Sequence, residues 1–179
     1  MANLTSLDTN GWYQLTETRV DFNSALQAPS NMLWVAKSCP ECDENYWQFN
    51  HLYNNTYQLR NRKSTNKKQM SVCYVSDETD KSRTRPCMAP SSDDDSQKWN
   101  INPYTDGEGG YYFENVANGS NYRLDCHRGN PLFMSANLTD PQPAQRWLFL
   151  SVSAVDDTAY STTFTAVSSL ASRSSITRC

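Results

Sequence analysis

Gln145-Arg146-Trp147-Leu148-Phe149 decides the fold, because its pattern occurs three times in the chain. The others are Gln97-Lys98-Trp99-Asn100-Ile101 and Asn45-Tyr46-Trp47-Gln48-Phe49. In each, an amide stands two residues before a Trp, and a large apolar residue stands two after it. Side chains on a strand alternate between faces, so the Trp and the apolar residue share one face. The Trp residues are 52 and then 48 residues apart. A spacing of that size points to repeated supersecondary units.

Working outward, three more signals recur in the same order. Tyr13-Gln14-Leu15-Thr16-Glu17, Tyr57-Gln58-Leu59-Arg60-Asn61 and Tyr111-Tyr112-Phe113-Glu114-Asn115 each alternate apolar with polar residues, the period of a half-buried strand. Leu26-Gln27-Ala28 matches Met70-Ser71-Val72 and Leu124-Asp125-Cys126. Leu33-Trp34-Val35-Ala36 matches Pro86-Cys87-Met88-Ala89 and Leu132-Phe133-Met134-Ser135. Each unit therefore carries four short strands, and no unit buries its own apolar face. Three of them around a pseudo-threefold axis share one core. The expected fold is all-β, a β-trefoil of three four-stranded repeats, with Trp47, Trp99 and Trp147 in the core. Residues 1–10 form an N-terminal extension, and 11–158 form the trefoil. Its repeats run over about 11–54, 55–108 and 109–158. Residues 159–179 are a flexible Ser/Thr-rich tail, since 151–179 hold eight Ser and five Thr; the chain up to about Tyr160 closes the trefoil.

Composition excludes several classes. The net charge is −3, so the global basic field of a nucleic-acid binder is missing. No apolar run approaches membrane-span length. Met1-Ala2-Asn3-Leu4-Thr5 has neither the basic start nor the apolar stretch of a signal peptide. That leaves a cytosolic protein or one whose signal has been trimmed. Six Cys, together with N-x-S/T sequons at Asn3, Asn54, Asn118 and Asn137, favour the second. The expected location is secreted, or the extracellular cell surface or wall, and the expected product is a disulfide-bonded glycoprotein.

The recurring residues resemble the ricin-B-type lectin family, the Q-x-W β-trefoils. The third unit is nearest: Asn115, Gly119, Leu124-Asp125, Gly129-Asn130-Pro131 and Gln145-Arg146-Trp147 follow the family's order. The likeness spans roughly Gly11 to Asp157 and looks like the variants of filamentous fungi, often secreted or displayed on a stalk. It implies a non-catalytic, cofactor-free module that binds glycans or glycoproteins, commonly through galactose or N-acetylgalactosamine. In such a site a carboxylate accepts hydrogen bonds from vicinal hydroxyls, a ring stacks on the C–H face of the sugar, and an amide completes the set. Carried across, the carboxylate is Asp125; the matching residues are Ser71 and Gln27. The ring position falls on Ser135, Ala89 and Ala36, so a ring must come from nearby, from Trp34, Tyr74, Phe133 or His127. The candidate site residues are Asp125, His127, Asn130, Phe133 and Gln145. The other reading of Asp125 is a loop brace bonded to backbone N–H groups.

The degraded sugar positions leave an alternative: a protein-binding trefoil, such as a secreted protease inhibitor or effector. Its contact loops would be the Cys39–Cys42 turn and the Asp77–Arg85 insertion, which is charged and read as solvated. Cys39-Pro40-Glu41-Cys42 lacks the βαβ context of a redox motif and the further ligands of a zinc site. It reads as a tight-loop disulfide or as two ordinary partners, and Cys73 and Cys87 are placed to clip the insertion. Six Cys allow 15 pairings. Asp93-Asp94-Asp95 reads as a solvated loop rather than a calcium site. The strip Arg60, Arg62, Lys63, Lys67, Lys68 reads as a solvated hairpin, with sulfated glycans or acidic lipids as its functional alternative. Asp125-Cys126-His127 is no triad, because strand neighbours point to opposite faces.

Overall fold

The computed structural model describes residues 7–127, 131–139 and 142–161. Twelve strands are joined by loops, four of which hold a short 3-10 turn: β1 (Gly11–Glu17), β2 (Ser24–Gln27), β3 (Trp34–Lys37), β4 (Trp47–Tyr53), β5 (Thr56–Asn61), β6 (Lys68–Tyr74), β7 (Thr84–Pro90), β8 (Trp99–Pro103), β9 (Tyr111–Asn115), β10 (Arg123–Cys126), β11 (Leu132–Ser135) and β12 (Trp147–Ala154). Six of them close a barrel in the order β1-β12-β9-β8-β5-β4, and β2-β3, β6-β7 and β10-β11 are separate hairpins. This is the β-trefoil expected from the repeats. The first strand pairs with the last along its length, from Gly11↔Ala154 to Glu17↔Trp147. Barrel closure leaves no free edge to template further pairing.

The patterning explains the core. Tyr13, Leu15, Trp47, Phe49, Tyr57, Leu59, Trp99, Ile101, Phe113 and Trp147 meet in one cluster, with Tyr111 and Phe149 packed against it. Leu26, Met70 and Leu124 of the hairpins close that cluster. The indole N–H of each of the three repeated Trp residues finds a carbonyl on its own unit's hairpin. Trp47 Nε1 donates to Leu26 O at 2.8 Å, Trp99 Nε1 to Met70 O at 3.0 Å and Trp147 Nε1 to Leu124 O at 3.3 Å. The repeated Trp therefore does two jobs: it fills the core and ties a hairpin to the barrel.

The ends of the first strands show where a unit has diverged. Asn61 Nδ2 donates to Glu44 O and Tyr46 O, and Asn115 Nδ2 donates to Ser96 O and Lys98 O. In unit one the position is Glu17, a buried acceptor that takes Arg19 Nε at 2.9 Å and Arg19 N at 2.8 Å instead. A second cluster lies outside the barrel. Trp12, Tyr46 and Tyr160 are buried together, and the Tyr160 hydroxyl donates to Arg62 O at 2.7 Å. The chain is thus packed as far as Tyr160.

Among the described residues two disulfides are present, Cys39–Cys42 and Cys73–Cys87. The second closes the insertion, 14 residues apart in sequence. A loop of that size stabilises by about 3 kcal/mol, mainly through the unfolded chain. Replacing Cys73 and Cys87 together by Ser is expected to lower the free energy of urea unfolding by about that amount. An unchanged midpoint would show that the clip carries no stability.

The basic strip needs correction. Arg60 is not solvated: it is buried, and desolvation lowers its pKa to about 10, against an opposing effect of Tyr160. Its neighbours are locally engaged, Arg62 with Asp43 at 3.2 Å, Lys63 with Glu44 at 3.5 Å and Lys68 with Asn31 at 2.6 Å. The acidic loop is exposed, as expected of a solvated loop, and is also tied down locally. Asp94 accepts from Ser96 N at the start of a 3-10 turn, and Asp93 and Asp95 flank Lys98.

Candidate functional site

Asp125 lies on β10 opposite Phe133 of β11. Its Oδ1 accepts from Cys126 N at 2.7 Å and its Oδ2 from Gln145 Nε2 at 2.8 Å. Gln145 also donates to Asn137 O at 2.8 Å. It sits in the 3-10 turn that leads into Trp147 and is fully buried. The same amide has a plainer task in the other units. Gln97 bridges Pro90 O and Ser92 N, and Asn45 Nδ2 donates to Cys39 O. Unit three alone uses it to hold an acid. At the matching hairpin positions Gln27 donates to Lys37 O, and the Ser71 hydroxyl meets that of Ser96 at 2.9 Å.

His127 and Phe133 lie face to face, with ring centroids 3.6 Å apart and planes 3° apart. Phe133 is only 8% exposed, whereas the His127 side chain keeps 35%. The partly exposed members of the group are Asp125 and His127, whereas Gln145 and Phe133 are buried. Asn130 lies outside the described residues, as do Gly129, the sequon at Asn3, Cys179 and residues 162–179. Of the other rings named for the site, Trp34 is partly exposed opposite Gln27, and Tyr74 is strongly exposed at the end of β6.

Behind the His127 ring is a residue that sequence reasoning missed. Glu78, in the insertion, is fully buried. His127 Nε2 lies 3.3 Å from Glu78 Oε1, while Arg85 Nε donates to Oε2 at 2.6 Å and Asp80 N to Oε1 at 3.0 Å. Burial pushes this carboxyl up, but the bonds from Arg85, Asp80 N and His127, with the Arg85 charge, outweigh it and hold the pKa at about 2. Asp80 Oδ2 further accepts from Ala136 N of unit three at 3.3 Å. The insertion is solvated at Asp77, Thr79, Lys81 and Arg83, but its buried acid Glu78 anchors it beside the unit-three hairpin. Charge density alone hid this. The readable signal was the pairing of an acid with an Arg inside a Cys-bounded segment.

Chemically, the group offers a hydrogen-bond acceptor at the surface. Asp125 has lone pairs left after two bonds, so it can accept from vicinal hydroxyls. The Cys126 thiol is buried and, among the described residues, forms no disulfide, and burial pushes its pKa up to about 11. That suppresses the reactive thiolate. Among the described residues no three His, Cys, Asp or Glu side chains converge on a metal-sized point.

A closed six-stranded barrel with three separate hairpins is the architecture of a β-trefoil. The chain belongs to the ricin-type β-trefoil lectin domain-like family, whose sequence profile matches residues 43–132, half of its length. Comparison with curated proteins finds no matching sequence. Among solved structures it is similar to the designed threefold-symmetric protein ThreeFoil, at 20% identity and TM-score 0.61, over 79% of this chain and 99% of that one. It is also similar to the Rhizoctonia solani agglutinin, at 17% identity and TM-score 0.59, over 82% and 98%. The Polyporus squamosus lectin, solved with the epitope Neu5Aca2-6Galb1-4GlcNAc, shows 18% identity and TM-score 0.60 over 82% of this chain and 50% of its own. At these identities the likeness is one of fold.

Proposed function

We propose that this chain is a non-catalytic glycan-binding module whose principal saccharide contact is made by Asp125 and His127 of unit three. The observation that carries the reading is the braced carboxylate. Asp125 is the only acid at the three matching hairpin positions, is partly exposed, and is held by the buried Gln145 amide. Preorganised acceptors bind sugar hydroxyls without a further ordering penalty. His127, backed by Phe133, supplies a flat partner beside it. Galactose and N-acetylgalactosamine are the first ligands to try, free or within extended glycans such as sialylated N-acetyllactosamine. Two disulfides suit an oxidising compartment, so secretion or surface display is the setting in which this module would meet glycans.

A glycan array followed by calorimetric titration tests the proposal. Asp125→Ala is expected to weaken binding at least tenfold, because hydrogen bonds to a charged acceptor contribute about 1.5–3 kcal/mol. The absence of any glycan ligand, or an Asp125→Ala titration that overlays the parent, would overturn it.

A further inference from the structure

A second surface feature has the chemistry of a sugar site and lies away from the unit-three hairpin. An open cleft of about 380 Å³ lies between the β4–β5 turn and β8, lined by Tyr53, Asn54, Asn55, Thr56, Asn100, Asn102 and Val116. That volume falls within the roughly 300–1,000 Å³ of small-ligand clefts. None of the lining side chains carries a charge at neutral pH, which argues against phosphate, carboxylate or metal as occupant. What remains is a phenol ring, 53% of Tyr53 being exposed, an aliphatic wall at Val116, and four amides. An amide both donates and accepts, and so does a sugar hydroxyl. A ring beside such amides suits the mixed C–H and hydroxyl surface of a pyranose.

The amides are held in place. Asn55 Nδ2 donates to Asn102 Oδ1 at 3.2 Å, and the Thr56 hydroxyl donates to Asn100 Oδ1 at 2.7 Å. Asn102 Nδ2 reaches Glu114 Oε2 at 3.4 Å. Asn100 keeps its own amide N–H groups without a partner among the described residues. Asn54 adopts φ 47° at the turn, a left-handed conformation that Asn tolerates better than most residues. The Asn55, Asn100 and Asn102 amides are therefore preset by these contacts.

The fold does not require these residues. By the threefold relation, Asn100 and Asn102 stand one and three residues after Trp99. Their counterparts in unit one are Gln48, buried and donating to Thr9 O and Tyr160 O, and Asn50, which donates to Gln58. In unit three they are Leu148 and Leu150. The junction of units one and two lines one cleft with both an aromatic ring and these amides. We propose that this cleft is a second saccharide subsite, taking one neutral pyranose ring against Tyr53 with its hydroxyls bonded to Asn54, Asn100 and Asn102. The subsite takes its ligand class from the glycan-binding function proposed above but not its location. Two subsites on one module would raise avidity for branched or clustered glycans. The same turn carries the sequon Asn54-Asn55-Thr56, so a glycan on Asn54 would roof the cleft.

The test uses the full chain, 15N-labelled and made in a host that does not N-glycosylate, titrated with methyl glycosides of galactose, N-acetylgalactosamine, glucose, mannose and N-acetylglucosamine. The expected result is saturable shifts of the Asn100 and Asn102 side-chain amides that persist in Asp125→Ala. They should weaken about tenfold or more in Tyr53→Ala, the loss of one stacked ring, and stay near the parent in Tyr53→Phe. Tyr53 is exposed, so its replacement leaves the core intact. Shifts confined to the surroundings of Asp125 would overturn the second subsite and leave the unit-three site standing. Cleft shifts with none near Asp125 would support the subsite and overturn the unit-three placement. Cleft shifts indifferent to Tyr53→Ala, or none with any sugar, would overturn the subsite.

Discussion

Trp99→Ala is expected to lower the unfolding free energy by about 3–5 kcal/mol, the usual range for deleting a buried Trp. Trp99 is fully buried, packs against Phe113, and bonds the carbonyl of Met70 on the β6–β7 hairpin. The loss includes core volume and the tie that seats a hairpin on the barrel. Against a typical total of about 5–15 kcal/mol, that leaves a marginal fold. Urea unfolding followed by near-UV circular dichroism reads it directly. Two milder variants separate the two components. Trp99→Phe keeps a ring but strands the Met70 carbonyl, an added penalty of about 1–3 kcal/mol. Trp12→Phe lacks that penalty, because the buried Trp12 indole nitrogen has no partner among the described residues. Equal losses from both Phe variants would show that the indole–carbonyl bond contributes nothing.

Breaking the Glu78 cluster is the other large effect. Glu78→Gln removes the charge that compensates Arg85, whose side chain is only 17% exposed. Removing one partner of a buried pair costs about 3–5 kcal/mol. The same group sets the acid sensitivity. The Glu78 carboxyl has a folded-state pKa of about 2 against an ordinary 4.5. A carboxyl with a depressed pKa stabilises the fold fully above its unfolded value. That contribution, on the order of 3 kcal/mol at 1.36 kcal/mol per unit, is withdrawn as pH falls from about 5 toward 2. Stability of the parent should therefore decline across that window more steeply than that of Glu78→Gln, and the two curves should converge near pH 2–3. Parallel curves from pH 7 to pH 3 would rule out Glu78 as the titrating group.

How much of this could be read without a structure follows from the range of each interaction. The sequence by itself determined the architecture. Trp47, Trp99 and Trp147 with Phe49, Ile101 and Phe149, and Tyr13, Tyr57 and Tyr111 opening the first strands, all reached or packed against one core. Which face a strand residue takes is a local property of the pleat, and threefold recurrence made each weak local signal a strong one. Asp125 stood out in the same way, as the one acid among three matching positions. Its immediate partners did not follow so simply: Gln145 is 20 residues away, and the His127–Phe133 stack depends on the β10–β11 register.

What only the tertiary structure decided is which polar groups are withdrawn from water. Glu78 and Arg60 look like ordinary surface charges in sequence, and both are buried. Glu78 is satisfied in part by His127, 49 residues on, and Arg60 lies beneath Tyr160, its guanidinium 5.8 Å from the ring centroid. The Tyr53 cleft forms because strand pairing brings Asn100 and Asn102 against a turn nearly 50 residues earlier. A side chain's facing is written in its neighbours along the chain, whereas the free energy of burying a charge or an amide depends on partners that only the closed barrel supplies.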